Sequence, residues 1–315
     1  MITLFRMKSP VLVMAYRRYE LLCELLSLLP QDRAIYIHLD GPKPNHQSDV
    51  AKCEKVIRDF ILENPRAKIY FKKQKCNLGN RESFLASMEW VFEFEETLIL
   101  LEEDIRFNSS FFAFMDWGLE KFKDSPRIFQ INGFSVLDIF PGRQRLYESY
   151  TCRPWGFGTW KNSFLIHINT RIDSGELWSL PVFHNCKLSE TFKLKWSDRF
   201  GRLEQGTDTY DLGWNYSAWK NNSYAITPRF SFTTNIGFDD RALHTRVKPF
   251  FIRSPKALKH LQLNFLNKPV VMFPSSYDAY SDLIEWKTPG INKGGARFLN
   301  SLYNFLIFLR RQLRS

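Results

Sequence analysis

Apolar residues in the first hundred positions fall into two alternating patterns. Short continuous runs, Pro10-Val11-Leu12-Val13-Met14-Ala15 and Ala34-Ile35-Tyr36-Ile37-His38-Leu39, are bounded by polar or turn-forming residues and predict buried strands. Between and after them, at 20–29, 50–63 and 82–94, apolar positions recur at helical spacing and predict helices. Further strands are predicted at 67–72 and 97–101. This β-α-β-α-β-α-β order predicts an α/β fold with a parallel sheet and helices on both faces. In such sheets ligands bind beyond the carboxyl ends of the strands. Two of those ends carry acids: Asp40-Gly41-Pro42 after the second strand and Glu102-Glu103-Asp104 after the fourth.

Consecutive carboxylates at a strand tip repel one another, and desolvation beside a sheet raises the cost. A divalent cation seated on them would relieve it. A solvated strand-to-loop junction would not need one. Beyond residue 105 the regular alternation fades. A helix at 110–122 and a strand at 127–132 are predicted, followed by the aromatic, glycine-containing segment Pro154-Trp155-Gly156-Phe157-Gly158-Thr159-Trp160 and a loop-rich stretch over 165–255. The tail differs again. Phe298, Leu299, Leu302, Phe305, Leu306, Leu309 and Leu313 recur at i, i+3, i+4 spacing beside Arg297, Arg310, Arg311 and Arg314. A basic amphipathic helix over 297–315 is predicted, suited to an anionic membrane interface or to docking on the core or on a partner chain.

Composition narrows the picture. With 315 residues, 44% hydrophobic and 24% charged, the chain is long enough for one large domain or two modest ones. A net charge of +11 suggests an anionic partner such as a nucleotide, nucleic acid or acidic membrane face. The chain has no helix-turn-helix, RRM or zinc pattern, and its acid cluster suits a phosphate track poorly, so nucleic acid is disfavoured. The five cysteines are odd in number with no CxxC spacing, which fits a reducing compartment. The N-terminal region lacks the plan of a signal peptide, and no apolar run reaches the ~18 residues needed to span a bilayer. A cytoplasmic protein, peripheral at the inner membrane through its tail, is expected.

An ordered series of short motifs over 10–245 resembles a known family. Pro10 to Ala15 with Tyr16-Arg17-Arg18 resembles its first strand and the turn bearing a nucleotide-contacting arginine. Asn77-Leu78-Gly79-Asn80-Arg81-Glu82-Ser83 resembles the loop and helix start before its metal strand. Leu101-Glu102-Glu103-Asp104 with Phe111-Phe112 resembles its Glu-Asp-Asp segment and trailing aromatic pair, and Asn235-Ile236-Gly237-Phe238-Asp239 with His244 its closing segment. The family is the GT-A type of nucleotide-sugar glycosyltransferase, specifically bacterial relatives of the N-acetylglucosaminyltransferase I group. The middle acid, Glu103, departs from the family's Asp. The resemblance implies a GT-A, Rossmann-like domain with a nucleotide-sugar-binding half (1–105) and an acceptor-side half (106–255), followed by an extension (256–315).

It also implies a metal-dependent, inverting transfer from a nucleoside-diphosphate sugar, with UDP favoured, to a lipid-linked or surface-polysaccharide glycan. Asp104 is then the direct ligand of Mn²⁺ or Mg²⁺, Glu102 and Glu103 supporting groups on the donor, and His244 either a second ligand or a structural histidine. Arg18 would engage the base or ribose, Asp40 the uracil N3–H, and Arg81, at a helix N-terminus, an anionic group. Asp40 is equally explained by turn chemistry and Arg81 by solvation. Inversion needs a base for the acceptor hydroxyl; Asp211 is preferred, then Asp208, although either acid also suits a helix cap. Trp155 and Trp160, on a flexible loop, and Trp214 would stack on sugar faces, the alternative being an aromatic core. A nucleotidyltransferase on a similar sheet would need a Gly-rich loop after the first strand, and Tyr16-Arg17-Arg18-Tyr19 has no glycine.

Overall fold

The structure is a computed structural model, and it describes residues 8–139, 145–185, 190–239, 241, 248–249, 252, 254–255, 258, 278 and 281. Four strands open the chain, each followed by a helix on its way to the next: β1 (Val11–Ala15), α1 (Tyr19–Leu28), β2 (Ile35–Leu39), α2 (Gln47–Glu63), β3 (Ile69–Lys73), α3 (Asn80–Phe92) and β4 (Thr97–Glu102). The short β5 (Ile105–Phe107) and α4 (Phe111–Lys121) follow, then β6 (Ile128–Asn132), β7 (Leu146–Ser149), β8 (Phe157–Trp160) and α5 (Lys161–Ile168). The last described elements are α6 (Pro181–Asn185), α7 (Glu190–Glu204), α8 (Asp211–Lys220), β9 (Tyr224–Pro228) and β10 (Thr233–Asn235).

Eight strands form one sheet in the order β3-β2-β1-β4-β8-β6-β9-β7, and β5 with β10 makes a separate antiparallel pair. The strands β3, β2, β1 and β4 all run parallel, as the β-α alternation predicts. β8 enters antiparallel between β4 and β6. The chain winds outward from β1 through β2 to β3, then returns across β1 to β4. The sheet order therefore reverses between β1 and β4, where an open α/β sheet forms its ligand crevice.

Residue alternation explains the layers. Side chains at successive strand positions face opposite ways. Val11, Val13 and Ala15 of β1, with Ile99 and Leu101 of β4, pack against α1, α2 and α4. Leu12, Met14, Leu98 and Leu100 pack the other way, against α3, α5 and α8. All of these residues are buried, which accounts for the continuous apolar runs. A separate aromatic cluster beneath α8 gathers Trp196, Phe200, Tyr216 and Trp219.

Among the described residues no helix is long and apolar enough to cross a membrane. The tail over 297–315 lies outside the described residues. Among the described residues of the extension, Asp278 accepts from Ser149 Oγ and Tyr150 N, each at 2.7 Å, and Ser281 Oγ accepts from Arg153 Nη2 at 2.6 Å.

Candidate active site

A cleft of about 310 Å³ opens at the β1–β4 switch point. Strand register brings three tips together there. Asp40 N donates to Ala15 O at 3.0 Å and Glu103 N to Met14 O at 3.1 Å, so β1, β2 and β4 end at one level.

The three acids at the end of β4 separate according to strand alternation. Glu102 continues the face of Leu98 and Leu100, away from the cleft, where Tyr210 Oη donates to it at 2.6 Å. Burial, then the nearby Asp104 charge, pushes its carboxyl well above the usual carboxylate range. Glu103 and Asp104 line the cleft and share one guanidinium. Arg18 Nε donates to Glu103 Oε1 at 2.8 Å, Nη2 to Asp104 Oδ2 at 2.7 Å, and Nη1 to the Gly237 carbonyl at 3.3 Å. Burial works against the Arg18 charge, but Asp104 and then Glu103 more than offset it, and its pKa is raised. Glu103 Oε2 accepts from Tyr16 N at 2.7 Å, so both its oxygens are engaged. Asp104 Oδ1, by contrast, is buried and without a hydrogen-bond partner.

Among the described residues no three His, Cys, Asp or Glu side chains converge as a ready-made metal cage. Among those residues the donor set fits a cation held by one carboxylate and otherwise by ligand oxygens, an arrangement typical of Mg²⁺ on phosphates. Asp104 Oδ1 is the oxygen suited to it. His244 lies outside the described residues.

Asp40 is buried, and each of its oxygens accepts two hydrogen bonds. Oδ1 takes Gly41 N at 2.8 Å and Leu78 N at 2.9 Å; Oδ2 takes Asn77 Nδ2 at 2.8 Å and Gly79 N at 3.2 Å. Burial raises its pKa, while the Leu78, Gly41 and Gly79 N–H groups oppose the rise. It thus shapes the loop leading into α3. Asp208 completes that helix start: its oxygens accept from Asn80 N at 2.7 Å and Arg81 N at 2.8 Å. Asp208 thus satisfies the first two N–H groups of α3, the arrangement a helix N-terminus favours, while Asp40 holds the loop and the Gly79 N–H just before it.

The structure divides the remaining expected residues. Trp155 and Asp208 line the cleft. Asp211 does not; it begins α8 and accepts from Thr209 Oγ1. The Arg81 side chain is exposed outside the lining. The flexible loop expected at 155–160 is, from Phe157 onward, the interior strand β8. Trp160 and Trp214 are buried, their indole N–H groups donating to Leu119 O at 3.2 Å and Gln130 Oε1 at 2.7 Å. Burial of a large ring whose N–H finds an acceptor outweighs exposure to a sugar, so these two tryptophans belong to the core.

Two further groups, Arg106 and the Arg17–Arg241 pair, were not named as site residues from sequence, whereas Asn235 and Phe238 belong to the closing segment of the motif series. Arg106, almost fully buried, donates to the Glu103, Ile105 and Leu21 carbonyls at 3.2, 2.9 and 2.9 Å and to Glu24, clamping the acid turn against α1. Asn235 and Phe238 reach the cleft because β10 pairs with β5, placing Asn235 opposite Ile105. Arg17 and Arg241 join the rim, with Arg17 Nη2 donating to the Arg241 carbonyl at 2.7 Å. The sequence signal for Arg17 was its adjacency to Arg18, and for Arg106 its place two residues past the acid cluster.

No protein-family model and no curated protein matches the chain. Solved structures resemble it weakly. Mannosyltransferase PcManGT from Pyrobaculum calidifontis, in complex with GDP-Man and Mn²⁺, is 11% identical over 50% of this chain and 46% of its own, with a TM-score of 0.38. Mannose-1-phosphate geranyltransferase from Thermus thermophilus is 13% identical over 70% of this chain and 73% of its own, at 0.34. A UDP-glucose pyrophosphorylase complexed with UDP-glucose is 8% identical over 72% and 91%, at 0.36. The chain thus spans less than half the length of the mannosyltransferase. Likenesses this small say nothing of chemistry, and the α/β class stands on the sheet described above.

Proposed function

We propose that the chain is a nucleotide-sugar glycosyltransferase of the GT-A type, akin to bacterial relatives of the N-acetylglucosaminyltransferase I group, that transfers a hexose from a UDP-sugar with inversion. The observation that carries this reading is Asp104 at the switch-point cleft, one oxygen on Arg18 and the other buried without a partner. In the reaction an acceptor hydroxyl attacks the anomeric carbon as the bond to the diphosphate oxygen breaks, and the hydroxyl proton passes to a carboxylate. Asp208 stands in the cleft for that role, each oxygen keeping a lone pair beyond the amide it accepts from; Asp211 would act only from outside the present lining. Arg18, paired with Glu103 and Asp104, would engage the base or ribose, and Lys43 would supply positive charge toward the diphosphate. Asp40 would meet a uracil N3–H by exchanging one of its four bonds. Asp104 Oδ1, with His244 as a second ligand, would hold Mn²⁺ or Mg²⁺. Such a cation neutralises charge on the leaving diphosphate.

The acceptor in this reading is a lipid-linked or surface-polysaccharide glycan reached at the cytoplasmic face of the inner membrane, with residues 297–315 on anionic lipid. Deletion of 297–315 is expected to abolish pelleting with anionic vesicles; retained pelleting removes the anchoring role. For the activity, thermal shift and hydrolysis are measured with UDP-, GDP- and CMP-sugars, with and without Mn²⁺. A UDP-sugar with Mn²⁺ is expected to stabilise the wild type and not Asp104→Ala. No response to any nucleotide sugar overturns the reading.

A further inference from the structure

The rim of the cleft contains a hydrogen-bond chain whose direction is fixed by its far end. Arg17 Nη1 lies 2.8 Å from His46 Nε2, and His46 Nδ1 lies 2.7 Å from Tyr16 Oη. A guanidinium has only donors. Nε2 must therefore accept, which places the imidazole proton on Nδ1. Nδ1–H then donates to Tyr16 Oη, which also accepts from Lys43 N at 3.4 Å. A hydroxyl has two lone pairs and one proton. Both lone pairs of Tyr16 are now used, and its O–H proton has no acceptor among the described residues. Tyr16, Arg17 and Lys43 line the cleft, and Tyr16 N is bonded to Glu103.

We propose that the Tyr16 hydroxyl is a binding group that donates to an acceptor oxygen of the nucleotide, and that His46 and Arg17 are positioning residues that hold it as a donor. This rests on the nucleotide-sugar reading and adds a polarity to it. At this point the cleft accepts a carbonyl or phosphate oxygen and rejects a group that itself donates, since two donors facing each other leave both unsatisfied. The tyrosine cannot turn its proton back toward His46 while Arg17 occupies Nε2. The Tyr16 and His46 rings meet edge to face, with centroids 5.6 Å apart, so the hydroxyl is also held sterically.

The test is calorimetric titration of UDP, with Mn²⁺ present, into the full chain and its variants. Tyr16→Phe keeps the ring and is expected to weaken UDP about tenfold, the scale of one lost hydrogen bond, with an unchanged melting temperature. His46→Ala weakens it less, and adding it to Tyr16→Phe costs nothing further, because its effect runs through the hydroxyl. His46→Asn, whose amide can donate where Nδ1–H does, restores affinity. Uridine and inorganic pyrophosphate, titrated separately, locate the oxygen: the probe that Tyr16→Phe weakens carries it. Equal UDP affinity in Tyr16→Phe, additive effects of the two variants, or no rescue by asparagine overturns the proposal and leaves the nucleotide-sugar reading standing. Failure of the wild type to bind UDP, GDP or CMP overturns that reading and this proposal with it.

Discussion

The two halves of the sheet supply the same cleft by different routes. In the parallel half, Arg18, Asp40, Glu103 and Asp104 stand just beyond the ends of β1, β2 and β4, where the winding of the chain alone brings them together. In the mixed half nothing comparable happens at strand ends. Trp155 precedes β8, Asp208 precedes α8, and Asn235, Gly237 and Phe238 run from the last residue of β10, in the separate β5–β10 pair. They arrive by long-range pairing: Ile236 N on Asp104 O at 2.9 Å, and Asp208 on the α3 amides. A local pattern builds the first wall and tertiary contacts build the second.

The comparison breaks most severely at Asp104, where both walls meet. Asp104→Ala removes the orphan oxygen and one Arg18 partner together. Turnover of whichever nucleotide sugar stabilises the wild type is expected to fall by roughly 10² to 10³, the usual scale for losing a fixed charge at a developing one. A fall of under about tenfold would show that Asp104 does not sit at the reacting group.

The next effect tests how firmly the parallel half is packed. His38 lies on β2 just before Asp40, wholly buried between Gln74 and Ser83, and burial, then Lys72, lowers its pKa to about 4. A free histidine titrates near 6.5. The folded pKa is depressed, so the stabilisation is present above about pH 6.5 and is lost as pH falls toward 4, a contribution on the order of 3 kcal/mol. Asp278, whose carboxyl burial raises to about 7, works in the opposite direction, but it is common to both proteins compared. Urea unfolding of wild type and His38→Gln should therefore diverge with rising pH between 4 and 6.5. A difference independent of pH would mean that His38 is not buried neutral.

Much of the parallel half was legible because its physics is local. Apolar runs marked β1, β2 and β4, helical spacing marked α1 to α3, and acids at the tips marked the crevice. The division of labour among Glu102, Glu103 and Asp104 was less legible, because it depends on which face the last β4 residue occupies and on where Arg18 lands. In the mixed half, Trp160 and Trp214 read as surface stacking groups when they are core. An aromatic segment with glycines looks alike in a loop and in a strand. Only the pairing of β8 between β4 and β6 decides, and that pairing spans about sixty residues of sequence, from Leu98 to Thr159.

The seam between the halves can be probed at one glycine. A Cβ on Gly237 would lie 2.1 Å from Asp104 Oδ2 and 2.3 Å from Arg18 Nη1. Neither atom can retreat without breaking the guanidinium bridge. Gly237→Ala should therefore weaken nucleotide binding by roughly tenfold, within the 1–3 kcal/mol typical of an overpacked methyl. Gly201→Ala, within α7 where an added Cβ meets nothing within 4 Å, should leave nucleotide binding unchanged and add up to about 1 kcal/mol of stability through helix propensity. Equal behaviour of the two alanine variants in UDP titrations would mean that the 236–238 loop does not press on the acids.

The smallest effects separate two tryptophans of the mixed half. Trp214 packs against Phe84, Phe129, Phe157 and His167, and donates to Gln130. Trp214→Phe leaves that buried Gln130 oxygen short of a partner and a gap beside four rings. It should lower unfolding free energy by about 1–3 kcal/mol while leaving the KM for donor unchanged. Trp155 instead meets Phe134 and Phe238 edge to face, with centroids 4.7 and 6.4 Å away, and turns its remaining surface to the cleft. Trp155→Phe keeps an aromatic in place, so it should shift KM a few-fold and the melting temperature little, since a stacking contact contributes about 1 kcal/mol. The opposite outcome, with Trp155 governing stability and Trp214 governing KM, would mean that the donor is met at α8 and not at the cleft wall before β8. The cleft wall would then have to move from Trp155, just before β8, to Trp214 on α8, which is buried among four rings.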